Sequence, residues 1–160
     1  MPSFSSKRVV NHSATEMFDL VADVDHYPEF VPLCQSLRVR RRTPGGEGQE
    51  VLVADMTVAY KLIRETFTSR VTLDRPNLTI HVEYLDGPFS RLDNRWEFSD
   101  LKSGELEGGE GGGKCEVRFF ISYEFRSRTL GLLMGAMFDA AFRRFADAFE
   151  KRADKVYGAA

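Results

Sequence analysis

The apolar pattern of the chain predicts an α+β fold: a curved antiparallel sheet of six or seven strands, two short helices after strand one, and a long C-terminal helix. Three observations predict it. From about Ser36 to Phe125 apolar residues recur at every second position, with β-branched and aromatic residues enriched and turn residues between the runs. Helix signals are confined to two places, just after the first strand and after the last. The final helical stretch is one amphipathic run that ends near Val156. With 160 residues, 42% of them hydrophobic and 29% charged, the chain reads as one domain, 1–160, able to bury a core.

The elements follow in order. Ser3 to Asn11 is weakly patterned and reads as an edge strand. Ser13 followed by Glu16 is a capping box, which satisfies orphan N–H groups at a helix start, and Met17, Leu20 and Val21 then repeat at helical spacing. Asp23-Val24-Asp25-His26 breaks that pattern; Pro28 suits the first turn of a second short helix and Pro32 stops it. In the meander, Leu52, Ala54, Met56, Val58 and Tyr60 share a face, followed by Phe67, Val71 and Leu73, then Leu78, Ile80, Val82 and Tyr84. Leu92, Trp96 and Phe98 share another face, and Val117 to Phe125 alternates cleanly. The tract 103–113, rich in Gly and Glu, reads as a mobile hairpin loop. Thr129 is the expected N-cap of the last helix, whose apolar stripe is Leu130, Leu133, Met134, Met137, Phe138, Ala141, Phe142, Phe145, Ala148 and Phe149.

Composition excludes several classes. Lys plus Arg number 22 against 24 Asp plus Glu, so bulk charge disfavours wholesale nucleic-acid binding. Two cysteines, Cys34 and Cys115, make neither a disulfide framework nor a zinc pattern, and a reducing compartment follows. The longest apolar run, Leu130 to Phe138, falls well short of the roughly 18 residues of a spanning helix. The start lacks export and transit signals, which points to the cytoplasm, at most peripheral at the inner membrane. Gly108 to Lys114 reads G-x-x-x-x-G-K, but Cys115 and a strand follow where a phosphate loop needs Ser or Thr and a helix. His12, His26 and His81 form no metal-binding spacing, and no nucleophile elbow occurs. His26 is a surface or cap residue before it is a ligand contact.

Two segments invite a partner. Arg38, Arg40, Arg41 and Arg42 lie in a strand-like run and could meet phosphates of lipid or RNA, or simply protect a solvated edge. The start of the last helix is apolar nearly all round, which suits a membrane-docking lip, a dimer contact, or packing under the two short helices. Phe, at 13, and Met, at 5, supply soft volume for a wall that adapts to an apolar guest. One helix about 10 Å wide covers only part of a curved sheet, so a hollow can persist beneath it.

Three blocks carry a resemblance that spans nearly the whole chain. They are Asp23-Val24-Asp25-His26-Tyr27-Pro28-Glu29-Phe30-Val31-Pro32-Leu33-Cys34, then Gly87-Pro88-Phe89-Ser90-Arg91-Leu92-Asp93-Asn94-Arg95-Trp96-Glu97-Phe98, then Tyr123-Glu124-Phe125 leading to Ala148-Phe149-Glu150-Lys151-Arg152-Ala153. In this order they resemble the coenzyme Q-binding family, a START-like, helix-grip branch of the polyketide cyclase and dehydrase superfamily. A sister branch, the bacterial ribosome-association toxins, shares these motifs. Leu33 stands where the quinone branch often has Trp and the sister branch tends to have Gly.

The resemblance implies a non-enzymatic carrier or chaperone for ubiquinone or a related isoprenoid quinone, supporting respiratory electron transport and ubiquinone biosynthesis, with no cofactor beyond that ligand. On this reading Phe30, Val31, Pro32 and Leu33 form the mouth of the cavity with Phe89 and Leu92. Trp96, Phe119, Met134, Met137, Phe138 and Phe142 line the interior, and Leu133 helps the helix close it. The alternative is a ribosome-binding toxin that blocks subunit association through Arg38, Arg40, Arg41 and Arg42. An aromatase or cyclase ranks third, because it needs acid–base groups among inward positions that are almost wholly apolar.

Overall fold

The computed structural model describes residues 3–101 and 113–158. The expected loop at 103–113 therefore lies outside the described residues, Gly113 excepted. Strand β1 (Ser3–Val10) leads to α1 (Ala14–Ala22) and a 3-10 helix (Val24–Glu29). The meander follows as β2 (Cys34–Pro44), β3 (Gln49–Tyr60), β4 (Ile63–Asp74), β5 (Thr79–Asp86), β6 (Phe89–Asp100) and β7 (Cys115–Phe125). The chain then enters α2 (Arg128–Tyr157). All seven strands form one antiparallel sheet in the order β1-β7-β6-β5-β4-β3-β2, so β1 and the arginine-bearing β2 are its two edges.

Local chemistry sets the helix ends. Ser13 Oγ accepts from Glu16 N at 3.1 Å while the Glu16 carboxylate accepts from Ser13 N at 3.0 Å, which starts α1 as the capping box requires. The Asp100 carboxylate also accepts from Ala14 N at 2.8 Å, tying that start to the end of β6. Two expected boundaries move. The second short helix begins at Val24 rather than at Pro28, which sits in its last turn. The helix is of the tighter three-residue type, so a six-residue segment that shows no α period can still form it. The N-cap of α2 is Ser127, not Thr129: Leu130 N donates to Ser127 Oγ at 3.2 Å.

Helix α2 makes its close backbone approaches to β1, β7 and α1, and α1 packs on β5, β6 and β7. The long helix therefore lies over one side of the concave face; α1 reaches β5 and the 3-10 helix meets β2, which leaves β3 and β4 farthest from any helix backbone. Met134, Phe138, Ala141, Phe142 and Phe149 point into the core. Leu133 does not: it is 63% exposed. At about 100° per residue it lies about 140° around the helix from Phe138, outside the buried stripe. Among the described residues no helix is long and apolar enough to cross a membrane.

Candidate ligand-binding site

Strand register lays the inward side chains of the sheet in rows. Leu37, Met56 and Phe67 are aligned across β2, β3 and β4. Ala54 is paired with Ser69 in the next row, and beyond it Val71, Val82, Asn94 and Ile121 run across four strands. Ile80 pairs with Trp96 in the row after that. The middle of this surface is built from small residues, Ala54, Ser69, Val71 and Val82, and on the α2 side of the wall Ala141 interrupts the large rings of Phe138, Phe142, Phe145 and Phe149. Missing side-chain volume on both sides leaves a cavity of about 90 Å³. Val24, Tyr27, Pro32, Leu33, Phe138 and Phe142 complete much of its wall.

Among the described residues, the wall carries no Asp, Glu, His, Lys, Arg or Cys. Its polar groups are the hydroxyls of Tyr27 and Ser69, the Asn94 amide and the Trp96 indole N–H. The Tyr27 hydroxyl donates to the Val21 carbonyl, and burial pushes its pKa well above the usual phenol value. Asn94 Nδ2 donates to the Phe120 carbonyl at 2.8 Å. Ser69 is buried and its Oγ has no hydrogen-bond partner among the described residues. Both thiols lie off this wall, and burial raises them to about 11 for Cys34 and about 12 for Cys115, so both stay protonated at neutral pH. Among the described residues no group of three His, Cys, Asp or Glu is placed to hold a metal.

Of the residues expected at the site, Pro32, Leu33, Leu92, Trp96, Phe138 and Phe142 are brought together on the wall. The others sit elsewhere. Phe30 packs outside, edge-on to Tyr27 and Phe149 with the Arg152 guanidinium 5.1 Å from its ring centroid. Val31 is buried beside the wall rather than on it. Phe89, expected at the mouth, is fully buried: Tyr84 Oη accepts from its N–H at 3.0 Å, and its ring meets Phe67, Phe125 and Phe138. Phe119 lies behind Trp96, 4.7 Å between centroids, and also touches Phe4. Met134 is buried and Met137 half-buried, neither on the wall, and Leu133 faces solvent. The residues missed, Leu37, Met56 and Ser69 among them, carry a readable signal: each falls on the inward parity of its strand.

The arginines occupy the free edge. Arg40 pairs with Asp55 at 2.7 Å, and Arg42 with Asp25 at 2.6 Å and Glu50 at 3.7 Å. Arg38 and Arg41 have no ion pair among the described residues. Partial burial opposes ionisation of Asp55, but hydrogen bonds from Thr68 and Arg40 and the charges of Arg40 and Arg38 outweigh it and hold its pKa below the ordinary carboxylate value. His26 is exposed and bonded to Asp23 at 2.6 Å, a contact that raises its pKa.

A family described as polyketide cyclase / dehydrase and lipid transport matches residues 10–150. The chain belongs to this family. Its relatives include the ribosome association toxin RatA of Escherichia coli, 33% identical over 159 residues, covering 99% of this chain and 91% of that protein. They also include the mitochondrial coenzyme Q-binding protein COQ10 homolog B of Xenopus laevis, 30% identical, covering 97% of this chain and 59% of that protein. Among solved structures, the 18 kDa protein CC1736 of Caulobacter crescentus is 32% identical with a TM-score of 0.74, covering 99% of this chain and 100% of that one. The Zhui aromatase/cyclase of a Streptomyces shares the fold, with a TM-score of 0.71 at 18% identity, covering 99% of each chain.

Proposed function

We propose that this family member binds an isoprenoid quinone, ubiquinone or a close relative, in the cavity between the sheet and α2, and carries or presents it in support of respiration and quinone biosynthesis. The observation that carries the reading is a hollow walled by aliphatic and aromatic groups with no acid–base pair, which suits holding an apolar guest and not proton transfer. Likeness to a coenzyme Q-binding protein supplies the ligand. The void of about 90 Å³ is smaller than the roughly 150 Å³ apolar hollow that admits benzene, so entry needs the half-buried wall residues to move. Leu33, Leu37, Met56 and Phe67 are half-buried and lie together at the β2 to β4 side, where the long helix is far. Each CH₂ taken from water contributes about 0.8 kcal/mol, but a bilayer offers the same gain, so the protein acts by easing transfer.

Trp96 is the single tryptophan and lies on the wall, so its fluorescence reports the guest directly. Titration with ubiquinone-2 is expected to quench it saturably, and lipid extracted from the purified protein is expected to contain isoprenoid quinone. Ala141→Phe fills the hollow from the helix side and should abolish saturable quenching while the protein stays folded. Quenching that never saturates, or an extract holding phospholipid alone, overturns the reading.

A second reading, association with the ribosome, is favoured by the 33% identity to RatA and by Arg38 and Arg41 on the sheet edge, which form no ion pair among the described residues. It requires sedimentation with ribosomal subunits that falls with salt and is lost in Arg38→Glu/Arg41→Glu, with quinone quenching intact. Contact with an anionic bilayer fits the first reading. Tyr60, Leu62 and Leu132 are exposed at the end of the sheet where β3 turns into β4 and α2 begins, beside Lys61, Arg126 and Arg128.

A further inference from the structure

Ser69 is the one wall residue that packing leaves unexplained. It sits on the inward row of β4 between Phe67 and Val71, is 6% exposed, and its hydroxyl has no partner among the described residues. A buried hydroxyl without a partner forfeits hydration that folding does not return, and an alanine would occupy the same place without that loss. The other buried orphans, Ser6 Oγ and Arg91 Nε, belong to residues off this wall. Asn94, another neutral polar group of the wall, stands two strands away in the adjacent row, its amide oriented by the Phe120 carbonyl. Ala54 on β3 and Tyr84 on β5 are the cross-strand neighbours of Ser69, so the space beside it opens on the Ala54 side, and Val82 separates Val71 from Asn94.

On the reading that the cavity takes an isoprenoid quinone, we propose that the Ser69 hydroxyl donates a hydrogen bond to a ring carbonyl of the guest, with Asn94 flanking the ring. The guest's polar head is thus held at mid-sheet, and the prenyl tail runs against the half-buried apolar row Leu37, Met56 and Phe67. Ser69 selects guests that carry a neutral oxygen acceptor over hydrocarbons of the same shape. It is a binding residue for the head, not a catalytic one.

The test compares ubiquinone-2, which quenches Trp96, with geranylbenzene, a prenylated ring without oxygen, measured by competition for the same quench. Ser69→Ala is expected to weaken ubiquinone-2 about five- to tenfold, the worth of one hydrogen bond, and to leave geranylbenzene within about twofold. The ligand-free variant is expected to melt about 2–4 °C higher, since it loses an orphan hydroxyl. Opposite signs in stability and quinone affinity are what a purely structural serine cannot produce. Unchanged ubiquinone-2 binding, or equal loss for both probes, overturns the role of Ser69 and leaves the cavity reading standing. Failure of both probes to bind the native protein overturns the cavity reading and this inference with it.

Discussion

Leu33 holds a backbone φ of 68°, a left-handed conformation that glycine adopts freely and a leucine does not. Its carbonyl accepts from Ala59 N at 3.0 Å, which locks the turn between the 3-10 helix and β2 in place, and its side chain lies on the cavity wall. The chain thus tolerates local strain while an apolar group stands on the cavity wall. The usual rank of substitutions should invert here: Leu33→Gly should be more stable than Leu33→Ala by about 1 kcal/mol in denaturant titration, because only glycine relieves the strain. Both should weaken quinone binding. Asp55 gives a second test at this scale. Its folded pKa lies below the unfolded value of about 3.9, so its stabilising contribution is present above that value and fades as pH falls through the folded pKa. Thr68 Oγ1 donates to Asp55 at 2.5 Å, so Thr68→Val should cost about 1.5–3 kcal/mol at pH 7. The deficit should shrink in acid, measured by denaturant unfolding across pH.

At the scale of elements, the weak part of the molecule is the start of α2. Its first two turns carry Gly131 and Gly135 and expose Leu132 and Leu133. A Cβ at Gly135 would meet nothing within 4 Å, and one at Gly131 would meet Phe125 at an ordinary 3.7 Å. Alanine at both positions should therefore stabilise by about 0.5–1 kcal/mol each, seen in thermal unfolding, and should raise amide-exchange protection over those turns. The meander and the long helix were legible in the sequence because their periods, two and 3.6, run for many residues. The 3-10 helix was not, since Asp23-Val24-Asp25-His26 looks like a break and a six-residue helix carries no repeat. Leu133 was misplaced because a stripe drawn half the circumference wide admits its neighbours. Ser69 escaped because counting apolar residues passes over a small polar one, and the hollow itself arises from volume that is absent.

For the whole molecule, the decisive arrangement is asymmetric cover. With α2 close to β1 and β7, the far strands meet the helix only through side chains, so the void forms where small residues face each other. Phe89 and its aromatic neighbours seal one flank and Trp96 with Phe119 and Phe149 the other, which leaves the β2 to β4 side as the compliant one. That side ends in the open margin of the sheet. There β2 is irregular, with register shifts at Cys34/Ser36 and Val39/Arg41, and presents guanidinium groups where another strand would otherwise add. Swapping Arg38 and Arg41 for valine would strip that guard and invite copies to zip together. A clumped sample would then mimic lost ribosome affinity. Glutamate preserves the guard and reverses the sign, at the cost of a like charge across from Asp55 at position 38, so it is the substitution that separates keeping copies apart from holding RNA.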